Sequence, residues 1–273
     1  MTNFATNMPY TCPHCSYTRS WSIRRQKRKC KQCRREFGVR QYPVPTIYST
    51  EREWKQCIYV FLRQRAVLAI SSETGVPHCR VSRMVQLLRA CMAADTPPVF
   101  TGPVEFDETY IGGQRKNKKL HIRRIKAKKG HGTEKLPIMG IFDRTIKQVY
   151  VEIMPWKLNM PHIIATLRTR AVQNVLVYTD GFKMYRGLAK RGFRHAYVDH
   201  DDGEYVRGVI HTNNMEGFWG LLKRKLGCIG GMRRDRLYLF VGEIAWKFNH
   251  RTLPLRKQEE LLLALVKKFG GRN

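Results

Sequence analysis

The spacing of apolar positions divides the chain into three stretches. Residues 1–45 hold no sustained apolar period and end in the proline-bearing segment QYPVPT, where a first boundary falls. From Thr50 the period turns helical. Trp54, Cys57, Ile58, Phe61 and Leu62 recur at three and four residues, the mark of one helix face, with Thr50 placed to cap it. The segment AVLAISSETGVPHCRVSRMVQLLRA predicts a short helix closing at Gly75 and a second beginning near His78, a helix-turn-helix pattern. On the second helix Val81, Met84, Val85 and Leu88 share an inward face, while Arg80, Ser82, Arg83, Gln86 and Arg89 point outward. TPPVFTGP then ends the helical pattern and opens a third domain over 99–273, after a helix-turn-helix segment over 46–98.

From Val104 the pattern alternates between strands and helices. VEFDETYIGG predicts a strand, and LPIMGIFDR with QVYVEIMP predicts a hairpin turning at Arg144 to Lys147. A helix over about 161–171, the strand NVLVYTD, a helical KMYRGLAKRG, the short strand HAYVD and a mostly helical stretch from Asn213 follow. Strands interleaved with helices imply an α/β class. Between the first strand and the hairpin, residues 114–135 carry ten Lys or Arg against one acid, a composition that favours a surface loop over a core element. No internal repeat or low-complexity tail occurs.

Charge narrows the partners. Lys and Arg number 51 against 21 acidic residues, a formal charge of +30 that a folded protein tolerates best against a polyanion. Nucleic acid leads. An anionic membrane surface is the rival, but no apolar run approaches the ~20 residues of a spanning helix, and MTNFATNMPYTC lacks a signal peptide's apolar segment. A cytoplasmic, nucleoid-associated place is therefore expected.

The eight cysteines form two populations. Cys57, Cys79, Cys91 and Cys228 stand singly in or beside apolar stretches and read as structural thiols. Cys12, Cys15, Cys30 and Cys33 make CPHC and CKQC, two knuckles at the spacing of a zinc ribbon over residues 1–45. His14 and His78 are surplus to a ligand set that is already complete. Between the knuckles, Arg24 and Arg25 lie near Trp21, offering phosphate contacts beside a stacking surface.

Three acidic positions stand out: Asp107 and Asp180 at strand ends, and Glu216 opening NNMEGFWGLLKRKL. Carboxylates are the hard oxygen donors that hold a pair of Mg²⁺ or Mn²⁺ ions for phosphodiester chemistry. Thirty-five positions separate Asp180 from Glu216, and Lys223 follows Glu216 by two helical turns. Each position also has an ordinary reading. Asp before Gly in TDGF is common turn chemistry, Glu108 can cap or pair with Arg, and WGLLKR can be a basic amphipathic helix. Their joint occurrence favours the metal reading.

The D, D, 35, E spacing with a trailing Lys resembles DDE transposases and retroviral integrases. More narrowly, FDETYIGG, VYTDGF, HTNNMEGFWGLLKR and EIAWKFNHR are similar to bacterial insertion-sequence transposases with an N-terminal zinc ribbon, a likeness covering nearly the whole chain. The resemblance implies a ribonuclease H-like mixed sheet flanked by helices. It implies that Asp107 and Asp180 bind the catalytic ions, with Glu216 or Asn213 as third ligand; charge favours Glu216. Lys223 would contact phosphate near the reacting ends, and Glu243 and Asn249 would support helical packing or the cleft. Double-stranded DNA, as terminal inverted repeats and target, is the implied partner of a homodimer or larger oligomer. Arg80, Arg83, Arg89, Lys118, Lys119, Arg123, Arg124, Lys223 and Arg224 are the candidate contacts beside Arg24 and Arg25. Two other readings share the charge: a domesticated regulator that binds without cutting, and a single-strand or RNA-binding protein, which leaves the carboxylate spacing unexplained.

Overall fold

The computed structural model describes residues 12, 14–24, 27–38, 44, 47–112, 120, 135–154, 157–198, 211–229 and 233–270. Arg25, Lys118, Lys119, Arg123 and Arg124 lie outside these residues, as does the 114–135 segment apart from Leu120 and Lys135. Two compact units result: Met1–Val85 with Val266–Asn273, and Gln86–Leu265. The boundary falls inside a helix, α3.

The first unit begins with an antiparallel three-stranded sheet of β1 (Ser20–Ile23), β2 (Lys27–Cys30) and β3 (Glu36–Gly38). Its core is small. Among its described residues the buried cluster is Cys12, Cys30 and Phe37, with Cys15, Tyr17 and Cys33 packed against them, so sulfur makes up much of it. Next come α1 (Glu51–Leu62), α2 (Val67–Thr74) and the start of α3 (His78–Ala94). Thr50 caps α1 reciprocally: its hydroxyl accepts from the Glu53 amide at 3.1 Å, and its own amide donates to the Glu53 carboxylate at 2.6 Å. Helix α2 ends at Gly75, whose φ of 70° is left-handed, the conformation that turns the chain toward α3. Val81, Met84, Val85 and Leu88 are buried on α3 as their spacing predicted.

In the second unit a five-stranded sheet has the order β6-β5-β4-β7-β8, built from β4 (Val104–Ile111), β5 (Leu136–Asp143), β6 (Gln148–Ile153), β7 (Leu176–Asp180) and β8 (Arg194–Val198). β4, β5 and β6 form an antiparallel meander, whereas β7 and β8 run parallel to β4. The crossover from β6 to β7 contains α4 (Met160–Arg170), capped by Asn159. Side chains alternate across the sheet. Phe106, Met139, Ile141 and Val177 pack on one face with Ile163 and Leu167 of α4. On the other face Ile138, Phe142 and Val149 pack against Met215, Phe218 and Leu222 of α5 (Asn213–Gly227) and Val241, Ile244 and Ala245 of α6 (Leu237–Asn249). A last helix, α7, spans Leu255–Gly270.

One element departs from expectation. KMYRGLAKRG forms two 3₁₀ turns, Tyr185–Gly187 and Ala189–Arg191, in place of an α-helix. Tyr185 and Leu188, the buried side chains, are three apart, the 3₁₀ repeat, and Gly187 and Gly192 weaken any longer helix. No helix among the described residues is long and apolar enough to cross a membrane.

Candidate metal centres

The four cysteines of the ribbon converge. Their sulfurs all lie within 4.8 Å of one another, with Cys12 to Cys33 at 3.6 Å and Cys15 to Cys30 at 3.5 Å. Four sulfurs about 2.3 Å from one tetrahedral zinc stand roughly 3.8 Å apart, so the donor set fits the ion. Backbone amides of His14 and Gln32 point at the Cys12 and Cys30 sulfurs, each at 3.4 Å, which is how a knuckle stabilises thiolate. For Cys30, burial pushes the thiol up, but amides of Cys33 and Gln32 prevail and bring it down to about 7. For Cys15 the Tyr17 amide pulls downward, yet burial and the neighbouring thiols outweigh it, raising the thiol to about 12. On the same ribbon Trp21 is 40% exposed, with the Arg34 guanidinium 5.0 Å and the Lys31 ammonium 5.5 Å from its ring. Arg24 is exposed nearby in sequence.

The carboxylates belong to the sheet face covered by α5. In the parallel pairing of β4 with β7, Val104 is opposite Val177 and Glu105 opposite Tyr178. Extended by two residues, that register would set Asp107 opposite Asp180. Burial, then the Asp180 charge, push the Asp107 carboxyl up to about 7 against hydrogen bonds that pull it down, and the Glu216 charge adds to the rise. Asp107 therefore feels both of the other carboxylates. Each is also held by the protein. Asp107 accepts from the Glu108 amide at 2.8 Å and from the Trp219 indole at 2.9 Å. Asp180 accepts from the Phe182 amide at 3.1 Å, so the turn reading of TDGF holds together with the strand-end placement. Glu216, exposed in the first turn of α5, has the Thr212 hydroxyl at 3.5 Å. Among the described residues only the four cysteines gather three or more ligand atoms within 4.8 Å.

Asn213 begins the same helix and is exposed, three residues from Glu216. Lys223 and Arg224 are exposed further along it. Glu108 points to the opposite sheet face, where the Tyr185 hydroxyl donates to it; burial, then Asp107 and Asp180, raise it to about 8.

The outward set foreseen on α3 divides. Arg83 is exposed, but Arg80 pairs with Glu53 at 3.0 Å. Arg89 pairs with Glu243 at 2.7 Å and lies 4.1 Å from the Phe240 ring, because α3 runs on into close packing with α6, where a Cβ at Gly242 would meet Ala93 Cα at 2.5 Å. Lys247 also bonds Glu243, at 2.6 Å, so Glu243 serves packing. Asn249 does the same: its amide accepts from Val149 N at 2.8 Å and donates to Val149 O at 2.9 Å, extending the edge strand β6 by one ladder step.

Sequence reasoning missed four residues. Glu105 is fully buried and accepts from Arg144 Nε at 2.7 Å, Asn214 N at 3.0 Å, Asn214 Nδ2 at 2.7 Å and Met215 N at 3.0 Å. It thus seats a negative charge at the N-terminus of α5. Arg144 reaches onward to the His211 carbonyl at 2.6 Å and lies 4.0 Å from the Tyr178 ring. Trp219 and Gly140 complete the group. The only sequence signal was the alternation that puts Glu105 on the face of Asp107.

A mixed sheet of this order with helices on both faces is a ribonuclease H-like α/β arrangement. Asp180 closes β7 as expected, but Asp107 is the fourth of the eight residues of β4, because pairing with β5 carries that strand on to Ile111. Residues 99–249 match the ISXO2-like transposase domain, and the chain belongs to that family. It is 33% identical over 245 residues, 83% of this chain and 81% of the relative, to an uncharacterized protein in transposable element ISH50 of Halobacterium salinarum. An uncharacterized transposase-like protein of Haemophilus influenzae is 26% identical over 120 residues, 44% of this chain and 94% of that protein. Among solved structures, the HTLV-2 integrase catalytic core in complex with magnesium covers 56% of this chain and 96% of its own, at 12% identity and a TM-score of 0.29. A simian T-cell lymphotropic virus intasome in complex with PP2A regulatory subunit B56 gamma covers 79% and 69%, also at 12% and 0.29. Likeness that loose carries no argument.

Proposed function

We propose that this protein cleaves and joins DNA strands with Asp107, Asp180 and Glu216 as its metal-binding carboxylates. The reading is supported most by the parallel pairing of β4 with β7, in which Glu105 and Tyr178 are opposite each other two residues before Asp107 and Asp180, and by Trp219, on the helix that carries Glu216, donating to Asp107. Two Mg²⁺ or Mn²⁺ ions bound there would supply Lewis acidity to both the attacking and the leaving oxygen of a phosphodiester. The chain's own part is to hold oxygen donors at fixed positions and to exclude alternatives. Glu216 suits the third position better than Asn213, since hard divalent cations near phosphate favour an anionic donor. Lys223 and Arg224, exposed on α5, would neutralise phosphate beside the reacting bond. Water would open a P–O bond at the element's end, leaving a 3′-hydroxyl that attacks target DNA, with no Ser or Tyr nucleophile.

The domain plan is a zinc ribbon over 1–45, a helix-turn-helix segment over 46–98 and the catalytic domain over 99–273. Ribbon and helix-turn-helix would engage terminal inverted repeats through Arg24, Arg25 and Arg83, and the basic 114–135 segment would hold backbone through Lys118, Lys119, Arg123 and Arg124. The protein would act as a dimer or larger oligomer on paired ends, at the bacterial nucleoid.

Among the described residues the carboxylates do not gather three ligand atoms within 4.8 Å, which leaves one second reading, a regulator that binds ends without cutting. A nicking assay on end-containing duplex in Mg²⁺ separates the two. Cutting that disappears in Asp107→Asn while end binding persists supports the enzyme; binding without cutting in the unmutated chain supports the regulator.

A further inference from the structure

We infer that Trp219 is a positioning residue that sets the orientation of the Asp107 carboxylate and, through it, the preference of the site for Mg²⁺ over larger divalent ions; the inference rests on the carboxylate reading above. Trp219 lies on α5, three residues beyond Glu216, and is 4% exposed. Its indole N–H donates to Asp107 Oδ2 at 2.9 Å, while Asp107 Oδ1 accepts from the Glu108 amide at 2.8 Å. Each carboxylate oxygen thus spends one lone pair on a donor belonging to the fold and retains one for an ion. With both oxygens held, the carboxylate plane cannot rotate.

The sheet is built to admit that indole. Gly140 is the residue paired with Asp107 across β4 and β5. A Cβ there would meet Trp219 Cη2 and Cζ2 at 2.8 Å and Met215 Cε at 2.3 Å. Any larger residue would push the ring away from Asp107. A glycine in a central strand weakens that strand, and close approach of another group is its usual reason. Here that group is the indole.

The chemical consequence follows from the difference between the ions. Mg²⁺ requires near-ideal octahedral geometry, whereas larger cations accept irregular ligand directions. Freeing the Asp107 carboxylate should therefore weaken Mg²⁺ more than Mn²⁺. Hydrogen-bond partners of metal ligands typically change affinity by about 10- to 100-fold.

The test is a titration of the zinc-loaded full chain with Mg²⁺ and, separately, Mn²⁺, following tryptophan emission and thermal stability, with no DNA present. In the unmutated chain both ions should change the emission, and Trp219→Phe should remove that change. In Trp219→Phe the half-saturating Mg²⁺ concentration should rise about tenfold with a smaller rise for Mn²⁺. Gly140→Ala, which keeps the indole but displaces it, should give the same ordering and serves if Trp219→Phe does not fold. Equal shifts for the two ions, or none in a folded variant, would overturn the inference while leaving the carboxylate site intact. Failure of the unmutated chain to bind either ion, matched by Asp107→Asn, would bring down the site reading and this inference with it.

Discussion

Replacing Glu105 by Gln keeps the volume of the side chain and removes its charge. The carboxylate accepts four hydrogen bonds, from Arg144 Nε, from both nitrogens of Asn214 and from Met215 N, with no exposure to solvent. A glutamine offers one acceptor oxygen and one NH₂, so two donors of that set would face a donor. The Arg144 side chain, 18% exposed, would also lose its counter-charge. Breaking a buried ion pair by removing one partner costs about 3–5 kcal/mol. In a unit the size of Gln86–Leu265, 1 kcal/mol moves Tm by roughly 2–4 °C. The transition of the second unit should therefore drop by about 6–20 °C. Thermal melts followed by circular dichroism, with zinc retained, measure this directly. Because the same carboxylate seats the first turn of α5, Glu216 should be displaced too, and nicking should fall further than lost stability accounts for. A Glu105→Gln chain that melts within about 1 °C of the unmutated one would refute the buried-anchor reasoning.

Other outcomes follow from the same geometry. Burial and Asp180 raise Asp107 from 3.8 to about 7, so without added Mg²⁺ the folded chain holds a proton between pH 4 and 7 that the unfolded chain releases. Stability should fall as pH rises through that window, by at most about 1.4 kcal/mol per pH unit, and Asp107→Asn should flatten the slope; a Tm that rises with pH only in the unmutated chain would contradict this. Removing zinc with a chelator, or replacing Cys30 by Ser, should unfold the ribbon, since its few buried side chains supply no sufficient core; metal analysis should find one zinc per chain, and an ordered ribbon without it would count against the site. Asn249→Leu should cost about 1–3 kcal/mol by leaving the Val149 amide and carbonyl unpaired, read as a lower urea midpoint; no shift would mean that water replaces the side chain.

How much of this was legible beforehand depended on range. The cap at Thr50, the close of α2 at Gly75 and the hairpin after Asp143 each involve neighbours within a few positions, and sequence spacing announced them; the reciprocal bond from Glu53 came only with the structure. The four cysteines were legible for a similar reason: two local knuckles need only a short hairpin to meet. KMYRGLAKRG reads as a helix of either type from its spacing, because glycines beside two buried side chains admit both, and packing of Tyr185 decides for the 3₁₀ form. Arg89 looked like a surface cation until α6 brought Glu243 and Phe240 to it from more than 150 positions away, Glu243 being 154 residues on.

Along the chain itself, residue type and period determined which segments are ribbon, helix and strand, because those properties depend on near neighbours; that β4 runs four residues past Asp107 was set by its pairing with β5. Only the tertiary structure decided that the strands of Asp107 and Asp180 run side by side and parallel, that Glu105 holds the start of α5, and that Trp219 reaches Asp107 across Gly140. Each of those contacts depends on strand order and register, and a slip of one residue would turn every side chain to the other face. Register is an outcome of the whole sheet closing on its two cores, which no local stretch of sequence contains.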